Sequence, residues 1–123
     1  MLTEKFLEVL KHEGVFSIVT CADNVAHIDN TWNSYIRITE DGKLLIPAAG
    51  MHTTETNMAA NNLIKMTTGT KEVQGNHGPG AGHYLEGTGE LIFDGPIYDA
   101  TFAEFPFIRA VLVITPTFIK QTV

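Results

Sequence analysis

A chain of 123 residues with 44% apolar and 9% aromatic side chains can build one hydrophobic core and is short for two domains, so a single domain over residues 1–123 is expected. Its formal net charge of -6, with eight Lys plus Arg and no basic cluster, excludes broad contact with nucleic acid, because such binding scales with the phosphates neutralised. No apolar run approaches membrane-spanning length, and the N-terminus lacks the basic-then-apolar order of an export signal, which points to a soluble cytoplasmic protein without a membrane partner.

LTEKFLEVLKHEG puts Leu2, Phe6, Val9 and Leu10 on one helical face, with Thr3 as N-cap and Gly14 as the stop. The β-branched run VFSIVTC from Val15 reads as a strand, and the lone Cys21 within it as a small buried hydrophobe suited to a reducing compartment. After a turn at Asp23-Asn24, a second strand is expected from His27 to Thr39. Asp41-Gly42 supplies a tight hairpin into LLIPAA, where Pro47 cannot donate to a ladder and so should stand at an edge or face a ligand. TTETNMAANN predicts a helix started by Thr53 or Thr54. LIKMTTGTKEVQ and HYLEGTGELIFD predict two more strands around a glycine-rich loop, Gly75 to Gly82. Gly95-Pro96 opens a short helix ending near Pro106, and AVLVIT closes the chain as a sixth strand. The resulting fold class is mainly β: a six-stranded antiparallel barrel with three short helices.

Several familiar chemistries find no support in this order. The glycine-rich loop leads into a strand, whereas a phosphate-cradling loop must lead into a helix. The five histidines lack the spacing of a zinc site, and His77 and His83 read as solvated residues flanking a mobile loop. Neither Ser17 nor Ser34 has the context of a nucleophile elbow. No metal is expected and no catalytic base is evident.

What remains is polar. DNTWNSY carries hydrogen-bonding groups in a predicted strand, where alternation points Asn30, Trp32 and Ser34 one way and Thr31, Asn33 and Tyr35 the other. AAGMHTTETN begins a helix with hydroxyls directly after a glycine, and free amides there make an anion pocket. TTGT adds a third polar stretch on the fourth strand. A phosphate pocket, an Asn/Thr ribbon and an aromatic wall suit a flat heterocycle joined to a polyol and a phosphate. A barrel binding some other small ligand without redox chemistry is the alternative from another class.

NTWNSY, GMHTTETN, the glycine-flanked NHGPG and RAVLVIT, in that order and spacing, resemble the small FMN-binding proteins of sulfate-reducing bacteria. More broadly they resemble the flavin split-barrel superfamily that includes pyridoxamine 5′-phosphate oxidase. The resemblance runs over nearly the whole chain. It implies a homodimer of split barrels with one non-covalent FMN per subunit near the interface, serving electron transfer or flavin-dependent reduction through an unknown redox partner. It places Asn30, Thr31, Trp32 and Asn33 along the ring and ribityl chain, Pro47, Gly50 and Met51 beside the ring system, and Thr53, Thr54 and Asn57 near the phosphate. Gly69 and Thr70 match a fourth-strand contact. Tyr35 adds an aromatic contact, and so does Phe107, reaching across the dimer. Thr53 replaces a family lysine, so the phosphate should rest on hydroxyls and amides, and Phe107 replaces a tryptophan. An oxidase of pyridoxamine-like phosphorylated amines ranks last, since the basic residues for a substrate phosphate are absent.

Overall fold

The computed structural model describes all 123 residues. In chain order they form α1 (Glu4–Leu10), β1 (Val15–Ala22), β2 (Val25–Trp32), a 3-10 turn (Asn33–Tyr35), β3 (Arg37–Ile38), β4 (Leu44–Ala48), α2 (His52–Ala60), β5 (Leu63–Gln74), β6 (Pro79–Ile92), α3 (Pro96–Glu104) and β7 (Ala110–Gln121). The strands make one antiparallel sheet in the order β2-β1-β5-β6-β7-β4-β3.

Flat, that sheet would hold β1 and β4 roughly 19 Å apart, four strand spacings of about 4.8 Å. Yet Phe16 and Ile18 of β1 share one buried cluster with Leu44 and Ile46 of β4, together with Phe6, Ile64, Met66, Leu85, Leu112 and Ile114. The sheet therefore curls around a common core, with α1 covering it through Phe6. The expected mainly β split-barrel architecture with three short helices is what forms.

Local chemistry explains the joints. Thr3 caps α1, its hydroxyl accepting from the Phe6 amide at 3.1 Å. Asp23 and Asn24 both adopt positive φ, 52° and 63°, as a two-residue hairpin of mirror-image type requires. Pro96 opens α3 at its first turn.

Several expectations change. The long second strand is broken: Asn33–Tyr35 turns out of it, and a separate two-residue β3 follows, giving seven strands instead of six. The cause is Asn33, buried at 1% exposure. Its amide donates to Gly14 O, its Nδ2 donates to His12 O, and its Oδ1 accepts from Thr68 Oγ1, so the chain is pulled out of the sheet line. The alternation expected beyond Trp32 therefore ends there. The glycine-rich loop shrinks because β6 already begins at Pro79, and β7 runs on to Gln121. His83 is not solvated; it points inward from β6, packed edge-on against Phe6 with ring centroids 5.5 Å apart. Cys21 is half-buried beside the first hairpin rather than in the core.

Candidate functional site

The two ends of the curled sheet do not pair. Where the end of β2 faces the end of β4 and the turn into α2, a cleft of about 330 Å³ opens, lined by Asp29, Asn30, Thr31, Trp32, Tyr35, Pro47, Ala49, Gly50, Met51 and Phe107. Eight of the expected contact residues thus meet in one place, drawn from three separate stretches of chain: Asn30, Thr31, Trp32, Tyr35, Pro47, Gly50, Met51 and Phe107.

Pro47 pairs only with Val111 on β7, since β3 ends its pairing with β4 at Leu45. A residue without an N–H costs nothing on that open side, which is why the sequence tolerates it there. Trp32 is 44% exposed although it is the largest apolar side chain present. Tyr35 and Phe107 stand with ring centroids 6.0 Å apart, and Phe105 extends the cluster. Phe107 reaches the cleft within its own chain, so the expected crossing between subunits is not needed to bring it there.

The helix expected at Thr53 or Thr54 begins at His52. Its N-cap is Met51, left-handed at φ 59° and ψ 34°, and no side chain caps it. The first-turn amides of His52, Thr53 and Thr54 lack intrahelical acceptors by helix geometry, and the positive end of the helix dipole coincides with them. A non-glycine residue held in the left-handed region costs on the order of 1–2 kcal/mol, a strain typical of ligand sites. The sequence offered no side-chain signal for this start, because the cap is conformational.

The expected phosphate residues divide. Thr53 is exposed. Thr54 is fully buried and its hydroxyl donates to Asp29 Oδ2, so toward an anion it offers only its amide. His27 Nε2 stands 3.2 Å from the same Asp29 oxygen. Asn57 Nδ2 donates to Thr20 Oγ1 at 3.1 Å and anchors α2 on β1. Asn33 is a buried scaffold residue outside the cleft lining. Gly69 and Thr70 are not in the cleft; with Thr67, Gly80, Gly82 and Thr122 they line a second groove of about 520 Å³ along β5, β6 and the C-terminus.

Sequence reasoning missed Arg109. Its Nη2 donates to Gly50 O at 2.7 Å and its Nη1 to Glu55 Oε1 at 2.8 Å, bracing the turn between β4 and α2. Its signal was its place at the head of the family-like RAVLVIT run, which attached no role to it. At the other end of the aromatic cluster, Arg37 pairs with Glu104 at 2.7 Å, holding that carboxyl below its ordinary range, and stacks 5.2 Å from the Phe105 ring. The Ser34 hydroxyl and amide similarly lower the Glu13 carboxyl, fixing the turn behind Trp32.

No family model matches the chain. Among known proteins, the FMN-binding protein of Nitratidesulfovibrio vulgaris (strain DSM 19637 / Miyazaki F) is 42% identical over 122 residues, covering 99% of each chain. Among solved structures, HupZ of Group A Streptococcus is similar at TM-score 0.77 and 17% identity, over 98% of this chain and 94% of that one. An FMN-binding protein from Syntrophomonas wolfei subsp. wolfei is similar at TM-score 0.68 and 12% identity, over 88% and 76%. These two likenesses concern the fold. Because the Nitratidesulfovibrio vulgaris relative is 42% identical over the whole length of both proteins, the chain belongs to the family of the small FMN-binding protein.

Proposed function

We propose that this protein binds one FMN per protomer in the cleft between β2 and the β4–α2 turn, as a homodimer, and serves electron transfer or flavin-dependent reduction. The observation that carries this reading is a juxtaposition: the uncapped amino end of α2 opens beside Trp32, Tyr35 and Phe107 and the polar pair Asn30 and Thr31. That donor set matches each part of FMN. Free amides suit a phosphoryl group, amide and hydroxyl side chains suit a polyol, and aromatic faces suit the ring.

In this reading Trp32, Tyr35, Pro47 and Phe107 border the ring, Asn30 and Thr31 the ribityl chain, and the His52, Thr53 and Thr54 amides the phosphoryl oxygens. Gly50 and Met51 join the two ends. Asn33 and Asn57 act from behind, holding the turn and the helix. Bound flavin would supply the redox chemistry, and the protein sets access and potential. Asp29 brings a carboxylate to the rim and Arg109 is already paired with Glu55, so little stabilises an anionic reduced flavin.

A cleft of about 330 Å³ lies at the low end of the roughly 300–1,000 Å³ of ligand pockets, so part of the flavin extends beyond it. A second protomer whose Gly69–Thr70 groove covers that part accounts for the dimer and for those two residues. The binding unit is the whole chain, residues 1–123, acting as one domain. A lone free cysteine suits a reducing cytoplasm.

The freshly purified protein should be yellow, apoprotein should saturate with FMN, and sedimentation should give a dimer. A midpoint potential below that of free FMN is expected; one well above it would overturn the electrostatic part. Colourless protein that FMN does not saturate would favour a non-redox ligand instead. Rapid reduction by NADH or NADPH, with turnover on a second acceptor, distinguishes a reductase from a carrier.

A further inference from the structure

Arg109 opens the β7 end of the β4–β7 pair and reaches back over the turn into α2. Its backbone amide donates to Ala48 O at 2.8 Å, while its guanidinium holds Gly50 O and Glu55 Oε1 and lies 5.7 Å from the Phe93 ring centroid. Its Nε is shielded from solvent and has no acceptor. The two guanidinium contacts straddle Met51, one before the left-handed residue and one after it.

Glu55 is the acidic residue in the first turn of α2. A carboxylate in that turn is drawn toward the positive amino end of its own helix, where the amides that a phosphoryl group needs stand. Asp29, the other carboxylate beside the helix, already receives the Thr54 hydroxyl and faces His27. Glu55 is therefore the competitor, and Arg109 holds it aside. Losing Arg109 would release both the carboxylate and the Gly50 carbonyl that aims the helix.

We propose that Arg109 is a positioning residue that keeps the Glu55 carboxylate off the amino end of α2, so that the cleft prefers a phosphorylated flavin to the same flavin without phosphate. This rests on the flavin reading above. It assigns the discrimination between FMN and riboflavin to a residue pair outside the cleft lining.

The test titrates apoprotein separately with FMN and riboflavin, following flavin fluorescence, and compares the ratio of the two dissociation constants. Arg109→Met should reduce the preference for FMN by about tenfold while riboflavin affinity stays within about twofold, and Arg109→Met with Glu55→Gln should recover most of it. An unchanged ratio in Arg109→Met, an equal loss for both flavins, or no recovery in the double variant overturns the proposal. Should Arg109→Met fail to fold, Glu55→Gln alone decides: a raised FMN preference supports it, and an unchanged or lowered one overturns it. If the unsubstituted protein binds neither flavin, the flavin reading itself fails and takes this inference with it.

Discussion

Gly50 has no side chain at the mouth of the cleft, and a β-carbon built there meets no protein atom within 4 Å. Its backbone is not in the left-handed region, so Gly50→Ala should leave the denaturation midpoint unchanged. The added methyl would occupy ligand space, and FMN affinity should fall about tenfold by titration, a loss near 1.4 kcal/mol. Thr54 presents the opposite case. Its hydroxyl is spent on Asp29 inside the fold, so the nearly isosteric Thr54→Val should cost about 1–3 kcal/mol of stability, read by denaturant unfolding. Residue identity alone suggested a phosphate donor at Thr54, because a threonine at a helix start is a donor wherever it is exposed. Only the packing of α2 on β2 and β1 shows that the hydroxyl faces inward.

Among the elements, one tight joint lies where α1 hands over to β1. A β-carbon on Gly14 would stand 2.3 Å from Gly69 O and 2.9 Å from Asn33 Nδ2. Gly14→Ala must push this joint away from β5 and from the 3-10 turn, so a loss of about 1–3 kcal/mol is expected from the denaturation midpoint. The same joint shows what could be read from the sequence. Strong local signals carried through: the Thr3 cap, the Asp23-Asn24 turn, the Pro96 helix start and the constraint at Pro47 each have a short-range cause. The break at Asn33 did not, because it depends on His12, Gly14 and Thr68, which are close only after folding. The start of α2 was misplaced for a related reason: a left-handed methionine leaves no compositional trace. Most of the cleft lining was legible through the family resemblance, whereas Arg109, although it opens the family-like RAVLVIT run, acts through a carbonyl and a carboxylate that only folding brings to it.

For the molecule as a whole, pH enters through His83. Burial, and secondarily the Lys5 charge, hold its imidazole below its ordinary value of 6.5, and its Nδ1 is buried without a partner. The unfolded chain therefore takes up this proton more readily than the folded one. The corresponding stability is complete above the unfolded value of 6.5 and is lost as pH falls from there toward the lower folded value. Unfolding at about pH 7.5 and about pH 5.5 should show a drop that His83→Leu makes shallower; an unaltered slope would remove His83 from the account. The curled sheet has a last consequence. Because its first and last strands never bond to each other, the seam is crossed only by the short stretch of chain from Asn33 to Ile36, and a molecule lodged there becomes a rivet between the end of β2 and the turn into α2. Amide hydrogen exchange on either side, in Asp29–Trp32 and Pro47–Met51, should then slow together when the rivet is in place, while the far strands β5 and β6 keep their own rates.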